Sequence, residues 1–221
     1  MDDVNSPDAL VHDTVLPMHE NIKTLPNPSS LYQINDWVTI KDLYKSAEDA
    51  ISTVEYQVGE GVDVAVNQLR YAGHHILEAL TTGDANIEQE EMRKAARHCM
   101  RSIYDSCSWG IMTFNDNMLE FNKDYRLIVI SEVLPDYLER LKKCKKAMEC
   151  IQAARVDNAQ RYKFFKIAAE HYDILYECTS DLSMIREDLN KKVKQQLRNR
   201  FYMEAGFILA VIAIILTLAL A

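Results

Sequence analysis

The sequence predicts an all-α protein: an elongated bundle of three or four long helices, with a single-pass transmembrane helix continuing the last of them. Three observations carry this. With six glycines and five prolines in 221 residues, long stretches have no breaker. Apolar and small residues recur at three- and four-residue spacing over most of the chain, and no segment shows the alternation of a half-buried strand. From Ala205 to Ala221 there is no charge and one polar side chain, Thr217.

Residues 1–34 hold four of the five prolines (Pro7, Pro17, Pro26 and Pro28) and carry a net charge of −4. This composition predicts a mostly disordered acidic arm. Asn35 or Asp36 then caps a long helix. Its seam runs Trp37, Ile40, Tyr44, Ala47, Ile51, Val54, Val58, Gly61, Ala65 and, after a shift, Leu69, Ala72, Ile76. Gly59 and Gly61 are candidate bends, and Thr82-Gly83 is the expected end. Asp84 or Asn86 starts a second helix, with Glu88, Glu90 and Glu91 near its positive end. Its buried face is Ala95, Cys99, Ile103, Cys107, Gly110, Phe114 and Met118. It either breaks near Asn115 or runs on through Tyr125, Ile128 and Val129.

Pro135 separates a third helix marked by Leu138, Leu141, Met148 and Ile151. After a joint at Asp157-Asn158 the last seam is Phe164, Ala168, His171, Leu175, Cys178, Leu182, Ile185, Leu189 and Val193. No glycine or proline interrupts it before Gly206, so one nearly continuous helix is expected from about 159 to 221. The domain reading is an arm at 1–34, a cytoplasmic helical bundle at 35–200 and an anchor at 201–221.

The anchor is read as a tail anchor. Seventeen helical residues reach about 25 Å against a hydrocarbon core of about 30 Å, and Phe201 to Glu204 close the gap. Phe201 and Tyr202 fall at headgroup depth. Lys191, Lys192, Lys194, Arg198 and Arg200 just upstream put this flank on the cytoplasmic side and would attract anionic lipid. In a bacterium that membrane is the inner one. A buried core helix rarely stays uncharged all round for this length. The acidic, proline-bearing N-terminus does not resemble a secretory signal. Gly206, Ala210, Ala213, Thr217 and Ala221 form a narrow small-residue stripe that would let two anchors approach closely. The partners expected are therefore the bilayer and other copies of the chain in a homo-oligomer, with room for a protein partner on the body.

The overall charge of −8 is unevenly spread. Residues 1–139 have 24 acids and 10 bases (−14), and residues 140–200 have 8 acids and 15 bases (+7). The basic part adjoins the anchor, as a membrane-facing segment would. The five cysteines (99, 107, 144, 150 and 178) form no CxxC pair and are expected to be reduced and packed. Neither a metal site nor a cofactor is called for. Phe164, Phe165, Tyr172 and Tyr176 interleave with Arg161, Lys163 and Lys166, a pattern that suits core packing with snorkelling cations better than base stacking.

The histidines supply the one catalytic candidate. His74 and His75 are adjacent and point about 100° apart on a helix, so they cannot chelate together. Arg93 precedes His98, and Arg70 precedes His75, each with four residues between. This Arg-x4–6-His spacing resembles the motif of the HEPN family, all-α bundles that often act as metal-independent ribonucleases. The resemblance covers these short motifs and the fold class. It implies a phosphate-binding arginine and a histidine in acid/base or positioning work. Lys94 and Tyr71, the residues after the two arginines, depart from the family pattern. The leading expectation is a non-enzymatic, tail-anchored helical bundle that self-associates and either holds a partner at the membrane or perturbs the bilayer. The alternative is a membrane-tethered HEPN-like ribonuclease, the one case in which nucleic acid is a partner.

Overall fold

The computed structural model describes residues 17–18, 22, 25–26, 28–126, 128–156 and 161–220. Among them the regular elements are all helical: α1 Trp37–Val58, α2 Asp63–Thr81, α3 Ala85–Asp124, α4 Tyr137–Val156, α5 Arg161–Ala169 and α6 Tyr172–Leu220. Short 3-10 turns at Pro28–Gln33 and Ile130–Glu132 precede α1 and α4. The chain forms two compact units. The first takes residues up to 115 together with 143–176, and the second takes 116–142 and 177–221.

Helix boundaries follow local chemistry. Asp36 caps α1: its carboxylate accepts from the Thr39 backbone N–H at 2.7 Å and from the Thr39 hydroxyl at 2.8 Å. The single long helix expected across 36–82 is instead two. Gly59 takes a left-handed conformation (φ 79°) and donates its N–H to the Glu55 carbonyl, closing α1. The Glu55 side chain then reaches back to the Val62 N–H, 3.3 Å away, fixing the joint before α2. Asp84 starts α3 by accepting from the N–H groups of Asn86 and Ile87.

α3 neither breaks at Asn115 nor runs through Val129; it ends at Asp124. There Tyr125 turns inward, its ring 4.5 Å from Phe121 and its hydroxyl donating to Asn190 at 3.0 Å. The continuous final helix is also divided, at Glu170-His171. His171 donates to the carbonyl of Ala168, a tightened turn, and α6 begins with Asp173 in its first turn. Neither residue is a glycine or proline, so the sequence offers no breaker there. The joint expected at Asp157-Asn158 lies outside the described residues.

The first unit is organised on α3. Every residue of its expected buried face, from Ala95 to Met118, is buried, and Met118 alone of them falls in the second unit. Small residues Ala96, Ser102 and Ser106 widen that face, so neighbours pack on more than one side. Ser102 donates to the Ala65 carbonyl of α2 at 2.8 Å. Tyr104 meets Phe165 of α5, with ring centroids 5.2 Å apart, and Phe114 meets Tyr172 of α6 at 5.3 Å. All five cysteines are buried and free. Burial pushes the Cys99 thiol up to about 12, so it has no thiolate character at neutral pH. On α4 the expected marker Leu138 is exposed, and Cys144, Ala147, Cys150 and Ile151 supply the buried side.

Residues 1–16 of the expected disordered arm lie outside the described residues. Those described in its remainder are seated in the first unit: Met18, Ile22, Leu25, Leu31 and Ile34 are buried. The Met18 N–H donates to the Asp173 carboxylate at 3.0 Å, and the Tyr162 hydroxyl donates to the Leu25 carbonyl at 3.0 Å.

The second unit holds its own polar lock. Arg140 bridges Asp136 and Asp181, both at 2.7 Å, and these bonds hold its guanidinium above the usual arginine range despite some burial. Arg186 lies 5.9 Å from the Phe121 ring centroid and 3.4 Å from Asp124.

Gly110 generates the sharpest stability test. A Cβ there would stand 2.5 Å from Cε2 and 2.7 Å from Oη of the fully buried Tyr172. Gly110→Ala should destabilise the protein by about 1–3 kcal/mol in chemical denaturation, despite the better helix propensity of alanine. A gain in stability would show that the contact relaxes freely. The Tyr172 hydroxyl is buried without a hydrogen-bond partner, so Tyr172→Phe should be neutral or stabilising by up to about 1 kcal/mol. A large loss would reveal a partner for that hydroxyl.

Candidate functional site

The structure brings together two histidines that the sequence placed in separate motifs. α2 carries His75 and α3 carries His98, and the Ser102–Ala65 bond holds these helices in register. The two imidazoles stack at 5.2 Å between centroids and 17° between planes, both partly exposed. His74, exposed, and Tyr71 flank them at 5.5 Å from His75 and His98, respectively.

Each ring is oriented by one partner. His75 Nδ1 meets Glu91 Oε2 at 2.6 Å, and His98 Nδ1 meets Gln68 Oε1 at 2.8 Å. With carboxylate and amide oxygens as acceptors, both rings carry a proton on Nδ1 and keep Nε2 as the reactive nitrogen. Glu91 also accepts from Lys94 at 2.6 Å, and that bond, with the one from His75, holds its carboxyl below the usual range. His98 is lowered, first by burial and then by His75, Arg101 and Arg97, so it is predominantly neutral at pH 7. Among the described residues no group of three His, Cys, Asp or Glu side chains is placed to hold a metal.

The arginines of the two motifs do not join the pair. Arg70 is exposed and donates to Asn67 at 3.0 Å. Arg93 reaches Glu90 at 3.8 Å, while its Nε is buried with no partner. A different set of arginines surrounds His98. An open cavity of about 610 Å³ in the first unit is lined by His98, Arg97, Arg101, Arg155 and Arg161, with Tyr104, Asp105 and Phe165 among the other walls. Burial raises the Asp105 carboxyl above the usual aspartate range, and Arg101, Arg161 and Arg155 only partly oppose this. Arg97, Arg101 and Asp105 fall at four-residue spacing on α3, a face readable in the sequence. The approach of Arg155 from α4 and Arg161 from α5 is tertiary and was not.

The membrane-interface residues and the anchor residues up to Thr217 lie on α6 in the second unit. Lys191 pairs with Glu187 at 3.0 Å and Asp188 at 3.2 Å, Lys192 with Glu132 at 3.7 Å and Arg200 with Glu204 at 2.8 Å. Lys194 and Arg198 have no such partner among the described residues. Phe201 and Tyr202 are exposed, with their rings edge-to-face at 6.1 Å. Gly206, Ala210, Ala213 and Thr217 are exposed, and Thr217 donates to the Ala213 carbonyl at 2.8 Å. Ala221 lies outside the described residues. Lys166 sits 4.9 Å from the Tyr162 ring centroid, a cation packed on an aromatic rather than an open stacking platform.

Asp105 sets a pH test. A carboxyl raised in the folded chain leaves stability intact below the unfolded value of about 3.9, and stability is lost as pH rises through the folded value. Asp105→Asn should therefore raise the melting temperature at pH 7, with the difference from wild type shrinking toward pH 4. A lower melting temperature at pH 7 would mean that the ionised Asp105 is net stabilising among its arginines.

The chain matches no family model, and neither the curated proteins nor the solved structures include a significant match to it.

Proposed function

We propose that the protein is an integral membrane protein, a helical body held on the bilayer by the apolar end of α6, which acts by self-association and partner binding rather than by catalysis. The observation that carries this reading is the run from Gly206 to Leu220, in which every side chain is exposed and none is charged. That helix is long and apolar enough to cross a membrane. Left in water it would present a continuous apolar surface well beyond the few hundred Å² usual on a soluble monomer. Hydrocarbon removes that cost at about 25 cal/mol per Å². From Phe201 to Leu220 the helix reaches about 30 Å, the thickness of the core, in a single pass.

The body belongs on the cytoplasmic side in this reading. Lys194 and Arg198, free of carboxylates, join Lys191, Lys192 and Arg200 in the basic flank, although those three share their charge with nearby acids. The small-residue stripe of Gly206, Ala210, Ala213 and Thr217 would bring anchors together, and the three or four long helices of the body would offer a partner surface. An oligomer of this kind can hold a partner at the membrane or perturb the bilayer.

Leu209→Lys with Ile212→Lys tests the anchor. Each lysine near the middle of a span costs about 3 kcal/mol, so the double variant should move from alkaline-washed membranes to the supernatant. Retention in the membrane would contradict the reading. Ala210→Leu with Ala213→Leu should reduce the oligomer size of the detergent-extracted protein, and an unchanged size would dismiss the stripe.

One observation favours a second reading, the HEPN-like ribonuclease. The stacked, partly exposed rings of His75 and His98 put two imidazoles side by side, and metal-independent phosphodiester cleavage can use such a pair as acid and base. Arginines 97 and 101, rather than 93 and 70, would then hold phosphate. His98→Ala should abolish cleavage of single-stranded RNA in the presence of chelator under this reading. The absence of cleavage by the wild-type protein, or its survival in His98→Ala, would reject it.

A further inference from the structure

We propose that the arginine-lined cavity of the first unit binds a small phosphorylated organic molecule, with nucleoside phosphates the class that fits both of its parts. The proposal is independent of the membrane reading and requires no cleavage chemistry.

The cavity is cationic beyond what its own acid offsets. Arg97, Arg101, Arg155 and Arg161 line it beside a single carboxylate, Asp105. Arg97 is engaged by Glu90 at 3.3 Å, and the Arg161 Nε donates to the Ala154 carbonyl at 3.1 Å. Arg101 makes no hydrogen bond or ion pair among the described residues, and Arg155 donates only to the Met112 thioether at 3.3 Å, a weak acceptor. Two guanidiniums that form no ion pair among the described residues, with Asp105 as the one acid lining the space, therefore converge on one cavity in a chain that is acidic overall. Like charges held together in this way repel, and a phosphate between them converts the repulsion into charge-assisted hydrogen bonds.

The cavity has a second chamber. A space of about 440 Å³ shares Tyr104, Asp105 and Arg155 with the first and adds Trp109, Ser108 and Val62 among its walls. The buried Tyr104 Oη in the shared wall and the Ser108 Oγ in the second chamber have no hydrogen-bond partner. Trp109 is partly exposed and offers an aromatic face. Phosphate beside Arg101 and Arg155 and an aromatic base beside Trp109 would use the guanidiniums and the indole face together. A phosphoinositide headgroup shares the phosphate chemistry but has no use for the aromatic one.

The test is calorimetric titration of the full chain in detergent with ATP, AMP, adenosine, inositol trisphosphate and inorganic phosphate. ATP or AMP should bind saturably, weaken with added salt and lose about tenfold or more in affinity in Arg101→Gln/Arg155→Gln, both exposed positions whose change spares the core. Adenosine should bind far more weakly than AMP. Asp105→Asn should tighten binding, an effect that damage to the fold cannot mimic. Inositol trisphosphate binding tighter than either nucleotide, and equally sensitive to the arginine pair, would keep the phosphate site and assign it to a lipid headgroup. No saturable binding of any phosphate ester below about 1 mM would overturn the proposal. So would binding that the arginine and Asp105 variants leave unchanged.

Discussion

The first unit depends on how closely its other helices can approach α3. Two helices packed side by side stand 8–10 Å apart, with the distance set by the side chains between them. On α3 those side chains are small over a wide arc: Ala95, Ala96, Cys99, Ser102, Ser106, Cys107 and Gly110 are all buried. Bulkier residues, Ile103, Ile111 and Phe114, fill the spaces between neighbours rather than holding them off. Gly110 is the limiting case, since the Tyr172 ring occupies the volume of its missing side chain. The serines add a polar cost, met for Ser102 by the Ala65 carbonyl and left unmet for Ser106 and Ser108. This close approach puts His75 against His98 and brings α4 and α5 around the face that carries Arg101.

Much of this was legible in the sequence because burial and helical period coincide. The α3 face from Ala95 to Met118 could be written down residue by residue, as could the stop at Gly83, and the caps at Asp36 and Asp84 were each narrowed to one of two residues. Breaks that rest on tertiary contact could not. Glu170-His171 has no breaking residue, and its division belongs with the seating of Tyr172 on Gly110 and the Met18 bond to Asp173. The end of α3 follows from Tyr125 finding Asn190, 65 residues further on. Gly59 was visible as a bend but not as a full stop, because only its left-handed backbone distinguishes the two. The N-terminal segment looked unstructured by composition, yet isolated apolar residues such as Met18 and Leu31 found places in the core.

The candidate site was legible only in part. His75 and His98 were singled out individually, and their pairing needs the α2–α3 register that no local pattern states. The spacing rule paired each with an arginine that the structure engages elsewhere. Arg93 and Arg70 lie within reach of acidic or amide side chains on their own helices, although the Arg93 Nε stays without a partner. Arg101 lines the cavity, and Arg97 does so while engaged by Glu90. Arg155 and Arg161 stand more than fifty residues away in sequence and reach the cavity only through packing of α4 and α5. The long apolar end of α6, by contrast, was legible outright, because a run without charge needs no partner helix to be recognised.

The account as a whole joins a densely packed, small-residue core to an apolar helix end that none of the described residues covers. Its central claim is that the body folds by itself and the end of α6 only attaches it. Flotation on liposomes, for the full chain beside a chain ending at Arg200, with helical content measured on both, tests that most directly. The account predicts that the full chain floats with the lipid and that the shortened chain stays at the bottom with its helices and its cooperative melting retained. Equal flotation of the two, or a shortened chain that has lost its fold, would contradict it.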